Sequence, residues 1–86
     1  MTYIVYSKPN CPQCDTAKDM LATKGRKYEE RILDMGQVKD PNKKYYTVVE
    51  LKELVPTAKS VPQIFQVVDG ERKYIGGLKE LGLDLF

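Results

Sequence analysis

The first half of the chain alternates between strand-like and helix-like apolar patterns. The β-branched and aromatic run at residues 3–6 predicts a first strand, which a polar loop at residues 7–10 ends. From Pro12, apolar residues recur at helical spacing and predict a first helix that ends before Gly25. Its apolar face consists of Cys14, Ala17, Met20 and Leu21. Residues 27–33 predict a second strand, parallel to the first and at an edge of the sheet.

A long polar segment and a second helix follow. Residues 34–46 contain Gly36 and the turn-forming triplet at residues 40–42 but no apolar periodicity, which predicts a loop. Such a length in so small a domain indicates a binding loop or an insertion. Residues 47–50 match a capping box, with Thr47 before and Glu50 inside the helix. The predicted apolar face of this helix consists of Val48, Leu51, Leu54 and Val55, before Pro56 stops it.

The last third predicts a hairpin and a terminal helix. Residues 61–68 and 71–75 read as strands three and four, joined by Asp69-Gly70 in a type I′ turn. After Gly76-Gly77, the residues Leu78, Leu81, Leu85 and Phe86 predict a short helix packed on the sheet. The predicted order is βαβαββα, an α/β fold with a four-stranded mixed sheet flanked by helices.

Length and charge narrow the function classes. The chain of 86 residues fits a single small domain over residues 1–86, and a formal net charge of +2 is too small to indicate nucleic-acid binding. No apolar run approaches the roughly 18 residues that span a bilayer, and the first residues lack a basic signal-peptide region. We therefore expect a cytoplasmic protein without nucleic-acid or membrane partners.

The candidate chemistry lies in Cys11 and Cys14, the only cysteines in the chain. If Pro12 starts a helix, Cys11 lies at its N-terminal boundary, where unpaired N–H groups and the helix dipole favour a thiolate. Lys8 adds positive charge, so we expect the Cys11 pKa to fall from about 8.5 toward the ~3.5–7.5 of activated thiols. Cys14 lies on the same helix face, nearer the core. The pattern predicts Cys11 as nucleophile and Cys14 as resolving thiol.

A structural or metal-binding role for the cysteine pair is less favoured. A disulfide that closes so short a loop constrains the unfolded chain very little, so it adds little stability as a purely structural bridge. A structural zinc ion needs four Cys or His ligands, whereas the chain has two cysteines and no histidine. A buried apolar pair, or a metal or iron–sulfur site shared between two subunits, stays open as an alternative. We expect no metal in a single subunit.

Three motifs in chain order resemble those of the glutaredoxins, a family with the thioredoxin fold. The sequence K-P-N-C-P-Q-C at residues 8–14 resembles the family's K-x-x-C-P-x-C, and K-S-V-P-Q-I-F at residues 59–65 is similar to R-T-V-P-Q-I-F. A third motif, I-G-G at residues 75–77, follows the fourth predicted strand. The short chain and the segment at residues 37–46 are similar to phage glutaredoxins. The resemblance covers nearly the whole chain.

The resemblance implies roles for individual residues. Cys11 and Cys14 match the nucleophilic and resolving cysteines, and Pro62 matches a cis-proline that faces them. Glutathione, as reductant and co-substrate, is then held by Lys8, Gln13, Lys59, Val61, Pro62 and Gly77. Lys8 and Lys59 match positions that bind its glycine carboxylate, and Val61 offers backbone groups to its cysteinyl part. Residues 78–79 are Leu-Lys, where the family usually has an acidic or hydroxyl pair for the γ-glutamyl end.

The resemblance also implies an activity and partners. It implies a monomeric glutathione-disulfide oxidoreductase that reduces protein disulfides, with ribonucleotide reductase as one substrate, and glutathione mixed disulfides. An alternative is an electron donor reduced by thioredoxin reductase, because glutaredoxin-like proteins of that kind also have Gln at the position of Gln13. A further alternative is a dimeric metal or iron–sulfur carrier.

Overall fold

A computed structural model describes residues 2–86 of the chain. The described residues form five strands and three helices in the order βαββαββα. These elements are β1 Thr2–Ser7, α1 Pro12–Thr23, β2 Lys27–Leu33, β3 Tyr45–Tyr46, α2 Val48–Leu54, β4 Gln63–Val68, β5 Glu71–Gly76 and α3 Leu78–Leu85. Among residues 2–86, no helix has the length and apolar character needed to cross a membrane.

The strands form one mixed sheet in the order β3-β2-β1-β4-β5. Strand β1 pairs in parallel with β2, which pairs in parallel with β3, whereas β4 is antiparallel to both β1 and β5. The predicted α/β class with a mixed sheet is therefore confirmed. The predicted count of four strands was one too low.

The additional strand β3 lies at the end of the segment that the sequence predicted to be a loop. It pairs with Ile32 and Leu33 of β2, and the Asp34 N–H donates to the Tyr46 carbonyl at 2.7 Å. The Tyr46 ring also packs edge-on against Tyr6, with centroids 6.1 Å apart. A two-residue strand has no periodicity of its own, so only these contacts define it. Strand β2 is consequently covered at its C-terminal end and is not the predicted edge strand there.

Buried side chains cover both faces of the central strand β1. Ile4 and Tyr6 belong to a cluster on the α2 side of the sheet, whereas Tyr3 and Val5 belong to a cluster on the α1 and α3 side. This division follows the period of two along a strand, in which successive side chains point to opposite faces. Cys11 and Cys14 lie at the start of α1, but both residues belong to the cluster on the α2 side of the sheet.

Helix α1 has the predicted bounds. Cys14, Ala17 and Leu21 are buried on its inner face, and full burial of a leucine side chain contributes about 1.5–3 kcal/mol. The helix ends at Thr23 because Gly25 adopts a φ of +67°, a conformation that glycine takes without steric cost. The Arg26 N–H then returns to the Leu21 carbonyl at 2.8 Å.

Helix α2 begins at the predicted capping box. Thr47 Oγ1 accepts from the Glu50 N–H at 3.0 Å, and Glu50 Oε2 accepts from the Thr47 N–H at 3.3 Å. Leu51 and Val55 are buried as predicted, but Leu54 is 37% exposed and does not belong to the apolar face.

The hairpin and the terminal helix are confirmed, with shifted boundaries. Asp69 and Gly70 both have positive φ, 52° and 81°, as a type I′ turn requires. Strand β4 begins two residues later than predicted because Pro62 has no N–H to donate to a ladder. In α3, Leu81 is fully buried, but Phe86 is 74% exposed, and the Lys24 ammonium lies 4.2 Å from its ring centroid.

Candidate active site

Cys11 and Cys14 form a disulfide at the N-terminus of α1, with Cα atoms 5.2 Å apart. Cys11 is the N-cap residue, and its Sγ accepts from the backbone N–H of Cys14 at 3.2 Å. Cys14 is 1% exposed and Cys11 is 7% exposed. When the disulfide is reduced, the same N–H group and the helix dipole favour negative charge on the Cys11 sulfur.

Local sequence places Cys11 at this position. Asn10 takes a φ of +56°, a left-handed conformation that asparagine tolerates better than most residues, and turns the chain after β1. Pro12 occupies the first helical position, where its missing N–H costs nothing. The Asp15 N–H then donates to the Cys11 carbonyl at 3.1 Å and closes the first turn.

The loop before β4 faces the disulfide. The peptide bond between Val61 and Pro62 is cis, as the motif predicted, and the Val61 carbonyl oxygen lies 3.9 Å from Cys11 Sγ. Pairing between β1 and β4 reaches only as far as Gln63, opposite Tyr6, so the Val61 backbone lies outside this ladder. An extended ligand next to Cys11 meets these backbone groups first.

Side-chain hydrogen bonds fix the position of this loop. The buried Gln63 donates from Nε2 to the Ser60 carbonyl at 2.7 Å, and its Oε1 accepts from the Tyr74 hydroxyl at 2.5 Å. Burial, followed by the negative charge of Glu80, raises the pKa of Tyr74, so its hydroxyl stays protonated and continues to donate at neutral pH. Strand β5 thereby supports the loop that faces the cysteines.

A groove of about 400 Å³ runs beside this loop. It is lined by Lys8, Leu33, Met35, Val48, Leu51, Lys52, Ala58, Lys59, Ser60 and Val61. Leu33, Leu51 and Ala58 are buried and form an apolar floor, whereas the three lysines are exposed. Every charged residue along the groove is therefore a cation.

The structure brings some of the predicted glutathione residues together and separates others. Lys8, Lys59 and Val61 line the same groove. Gln13 is exposed on α1 and does not line this groove. Gly77 lies next to the cis-proline, since a Cβ atom added there would come within 3.5 Å of the Pro62 carbonyl oxygen.

The N-terminus of α3, beside Gly77, is already capped by a carboxylate of the chain. Glu80 Oε1 accepts from the Gly77 N–H at 2.8 Å. This N–H is one of those that a γ-glutamyl carboxylate would need, because an anion at a helix start binds to its free N–H groups. A γ-glutamyl end would be held tightly by free N–H groups and by polar side chains at residues 78–79. Here Glu80 occupies the Gly77 N–H, and residue 78 is a leucine.

Sequence reasoning missed the α2 side of the groove. Val48, Leu51 and Lys52 are spaced i, i+3 and i+4, and this spacing places them on one helix face. The spacing was visible in the sequence, but its meaning depends on where α2 packs. Met35 was missed for a different reason, because it lies in an irregular segment whose path no local pattern predicts.

A charged cluster secures α1 to the sheet below the cysteines. Glu30 Oε2 accepts from the buried Ser7 hydroxyl at 2.8 Å and from the Lys18 ammonium at 2.7 Å. Burial acts to raise the pKa of Glu30, but the hydrogen bonds from Lys18 and Ser7 outweigh it and the pKa is lowered. Burial acts to lower the pKa of Lys18, but Glu30 outweighs it and the pKa is raised. The pair is therefore ionised at neutral pH.

Comparison with known proteins identifies the family. The family model for glutaredoxin matches residues 3–73, and no curated protein matches the chain. Glutaredoxin 1 from Francisella tularensis, solved in complex with cacodylate, has a TM-score of 0.64 and 23% identity, over 96% of this chain and 90% of that one. The solution structure of a glutaredoxin from Brucella melitensis has a TM-score of 0.63 and 28% identity, over 96% of this chain and 76% of that one.

Among residues 2–86, no group of three or more His, Cys, Asp or Glu side chains is placed to hold a metal ion. The cysteines form a disulfide of the C-x-x-C type, and the fold around them is thioredoxin-like, as in these solved glutaredoxins. With the match over most of its length, the chain belongs to the glutaredoxin family and is a thiol–disulfide oxidoreductase.

Proposed function

We propose that this oxidoreductase takes its electrons from glutathione, with Cys11 as the nucleophile and Cys14 as the resolving thiol. The observation that carries the assignment is the contrast between the two sulfurs. Cys11 Sγ caps α1 and accepts an N–H hydrogen bond, whereas Cys14 lies one turn inside the helix and is 1% exposed. Cys11 is the more exposed of the two residues, at 7%, and its sulfur is the one that accepts the N–H hydrogen bond favouring a thiolate.

In the reductive reaction, the Cys11 thiolate attacks one sulfur of a substrate disulfide. A bond forms between the two sulfurs while the substrate S–S bond breaks, and the other substrate sulfur leaves as a thiolate that takes up a proton. Cys14 loses its proton and attacks the Cys11 sulfur, which forms the Cys11–Cys14 disulfide and releases the second substrate thiol. Two electrons and two protons pass to the substrate.

Two molecules of glutathione then restore the dithiol. The thiolate of the first attacks the Cys11 sulfur, which is the more exposed of the pair, and displaces Cys14 as a thiolate that takes up a proton. The thiolate of the second attacks the glutathione sulfur of the mixed disulfide, forms glutathione disulfide and releases the Cys11 thiolate.

We assign the glutathione site to residues around the cysteines. In the proposed site, Lys8 and Lys59 pair with the glycine carboxylate, and the Val61 backbone pairs with the cysteinyl part. The proposal is supported by the position of all three residues along one groove, with the Val61 carbonyl 3.9 Å from Cys11 Sγ. Pro62 and Gly77 form the side toward α3. The family resemblance adds Gln13, which is exposed on α1 and lies outside the groove. The γ-glutamyl end is weakly specified, because Glu80 already occupies the Gly77 N–H.

The proposal includes the setting in which the protein works. Reduction by glutathione requires a compartment where thiols are kept reduced, such as the cytoplasm. There the chain acts as a monomeric single domain on disulfide-containing proteins, and the family resemblance adds ribonucleotide reductase as one substrate. Nucleic acid, membranes and metal ions play no part in the proposed reaction.

A second candidate keeps the chemistry and changes the reductant. The Glu80 cap and the Leu78-Lys79 sequence disfavour one end of glutathione, which favours an electron donor reduced by thioredoxin reductase. The two candidates are compared by measuring turnover of a disulfide substrate with NADPH and either glutathione plus glutathione reductase or thioredoxin reductase. We expect turnover with glutathione. Turnover with thioredoxin reductase alone would reject glutathione as the reductant.

The division of labour between the cysteines has its own test. Cys11→Ser should abolish all exchange, because no nucleophile remains. Cys14→Ser should still reduce a glutathionylated peptide, since a second glutathione can resolve the mixed disulfide, but should lose turnover on protein disulfides. If Cys14→Ser is as inactive as Cys11→Ser on the glutathionylated peptide, the assigned roles are wrong.

A further inference from the structure

The groove beside Cys11 continues past the proposed glutathione site to α2. We propose that this α2 part, formed by Met35, Val48, Leu51 and Lys52, binds an acidic and apolar segment next to the disulfide of a protein substrate. The inference rests on the proposed function, because it concerns a substrate of the same exchange reaction. Two features of the groove, one of charge and one of shape, have no counterpart in glutathione.

The first feature is a surplus cation. Glutathione has two carboxylates at opposite ends of the molecule, of which the glycine carboxylate is assigned to Lys8 and Lys59 and the γ-glutamyl carboxylate to the Gly77 side. Lys52 is left without a counterpart in this ligand. Within residues 2–86, none of these three lysines takes part in an ion pair. A ligand with a further carboxylate therefore matches the groove better than glutathione does.

The second feature is the apolar floor. Leu33 and Leu51 are 3% exposed at its base, Val48 is half-buried, and Met35 at the lip is 53% exposed. Glutathione has no apolar side chain to cover this surface. A leucine-sized side chain of a protein substrate removes it from water, which favours binding in proportion to the apolar area covered.

Backbone geometry connects these features to the reacting sulfur. The Val61 carbonyl lies 3.9 Å from Cys11 Sγ, and Val61 lines the same groove as Ser60, Lys59 and the α2 residues. A substrate segment that pairs with the Val61 backbone in extended form therefore enters this groove. Its residues beyond the disulfide then meet the apolar floor and Lys52. A basic segment is disfavoured, since every charged lining residue is a lysine.

The test uses synthetic peptides with an internal disulfide and no glutathione. One peptide has Glu and Leu next to its disulfide, a second has Gln in place of Glu, a third has Ser in place of Leu, and a fourth has Lys in place of Glu. Reduced full-length protein is mixed with each oxidised peptide, and the single-turnover rate is measured by acid quenching and chromatography. Because the protein itself supplies the electrons, the result does not depend on the reductant.

We expect the Glu peptide to react roughly two- to fivefold faster than the Gln peptide, the range that one exposed ion pair supports. The advantage should shrink at about 1 M salt, where the Debye length is only ~3 Å. In Lys52→Gln the Glu-to-Gln rate ratio should approach one. The matched control is Lys73→Gln, an exposed lysine of β5 outside the groove, which should keep the wild-type ratio.

The apolar part has a separate pair of variants. Met35→Gln should reduce the preference for the Leu peptide over the Ser peptide. Val38→Gln should not, because Val38 is 98% exposed in the same segment and does not line this groove. The substituted side chains are all exposed, so the variants are expected to fold, and circular dichroism confirms this before the rates are compared.

The outcomes separate the inference from the proposed function. Equal rates for the Glu and Gln peptides, a fastest reaction with the Lys peptide, or an unchanged ratio in Lys52→Gln would overturn the inference while the exchange reaction itself stands. If the wild-type protein reacts neither with any peptide nor with hydroxyethyl disulfide, the proposed function fails and the inference fails with it.

Discussion

At the residue scale, the two sulfurs occupy different environments although they are bonded to each other. Cys11 is held at the helix start by the Cys14 N–H, and Cys14 contributes its own sulfur to the buried cluster under α2. The C-x-x-C spacing and Pro12 were enough to predict this asymmetry, because a helix N-terminus is a local feature. The orientation of Val61 toward Cys11 was predicted only through resemblance, since fifty residues separate the two in the chain.

Alkylation rates should show this asymmetry directly. In the reduced protein, iodoacetamide should label Cys11 well below pH 7 and Cys14 hardly at all, because the helix N-terminus stabilises the first thiolate and burial protects the second. Peptide mass spectrometry after short labelling gives the two rates. In Lys8→Ala, labelling of Cys11 should slow, since a nearby positive charge is lost. Equal labelling of the two cysteines would contradict the assignment.

The lysines of the proposed glutathione site should affect binding more than chemistry. Lys59→Ala and Lys8→Ala should each raise the KM for glutathione by up to about fivefold and leave kcat nearly unchanged, because exposed ion pairs are worth ~0–1 kcal/mol. Steady-state turnover of a glutathionylated peptide measures both constants. Lys73→Ala on β5 is the control and should match wild type. A large fall in kcat with unchanged KM would instead indicate a role in the chemical step.

At the scale of the elements, the boundaries that carry local signals were predicted and those set by distant contacts were not. Three of these boundaries are encoded in stretches of at most four residues. They are the capping box at Thr47, the glycine after α1 and the Asp69-Gly70 turn. Strand β3 exists only because Ile32 and Leu33 pair with it, and no pattern within residues 34–46 encodes that pairing. The start of β4 was placed too early for a different, local reason, because Pro62 has no N–H to donate to a ladder.

The junction between β5 and α3 should be sensitive to substitution. Gly76 has a φ of +130°, and a Cβ atom there would lie 2.8 Å from Glu80 Cγ and 2.9 Å from its Cβ. Gly76→Ala should therefore lower the free energy of unfolding by about 1–3 kcal/mol through backbone strain, with the steric clash adding to it. Urea denaturation measures the loss.

A second glycine with positive φ, Gly70, allows the cost of backbone strain to be measured without the steric clash. Gly70→Ala also places alanine at positive φ, +81°, but with no atom within 4 Å, so it should cost less than Gly76→Ala. Combining Gly76→Ala with Glu80→Ala should destabilise by less than the sum of the single changes, since the contacts with Glu80 Cγ and Oε1 are removed while the contact with its Cβ stays. Additive effects would show that Glu80 does not contact the new methyl group.

At the scale of the whole molecule, both faces of one sheet are needed to build the site. The α1 and α3 side holds the helix that carries the cysteines, while the α2 side supplies the floor of the groove and receives their sulfurs. Sequence periodicity predicted buried positions such as Leu21 and Leu51, because burial repeats along each element, but it also included Leu54 and Phe86, which are exposed. The groove was not predictable in this way, because segments from four parts of the chain enclose it.

Acid should weaken the attachment of α1 to the sheet. The lowered pKa of Glu30 means that its stabilisation is present above the unfolded value of about 4.3 and is lost as pH falls through the folded value. The raised pKa of Lys18 means that its stabilisation is present below about 10.4 and is lost as pH rises through its folded value. The pair therefore stabilises the fold between these limits.

Glu30→Gln tests this window. At pH 7 the change should lower the free energy of unfolding by about 1 kcal/mol, because the amide can still accept from Ser7 but no longer pairs with the Lys18 charge. As the pH falls from about 4.3 through the lowered folded pKa of Glu30, the difference from wild type should shrink, because below both values Glu30 is protonated in the folded and the unfolded state. Glu53→Gln, at an exposed site on α2, is the control. A difference that stays constant between pH 3 and pH 7 would contradict the pairing.

Strand β3 also makes the segment before it exchangeable. The Asp34 N–H donates to the Tyr46 carbonyl at 2.7 Å, and Tyr45 pairs with Ile32, so the two ends of residues 35–44 are held together whatever lies between them. Closing a flexible loop of twice the length costs only about 0.6 kcal/mol more, so insertions between these anchors leave the sheet almost unaffected. Met35, at the lip of the groove, begins this segment. Evolution or a protein engineer can therefore alter what the groove recognises by changing this one segment, without changing the cysteines that carry out disulfide exchange.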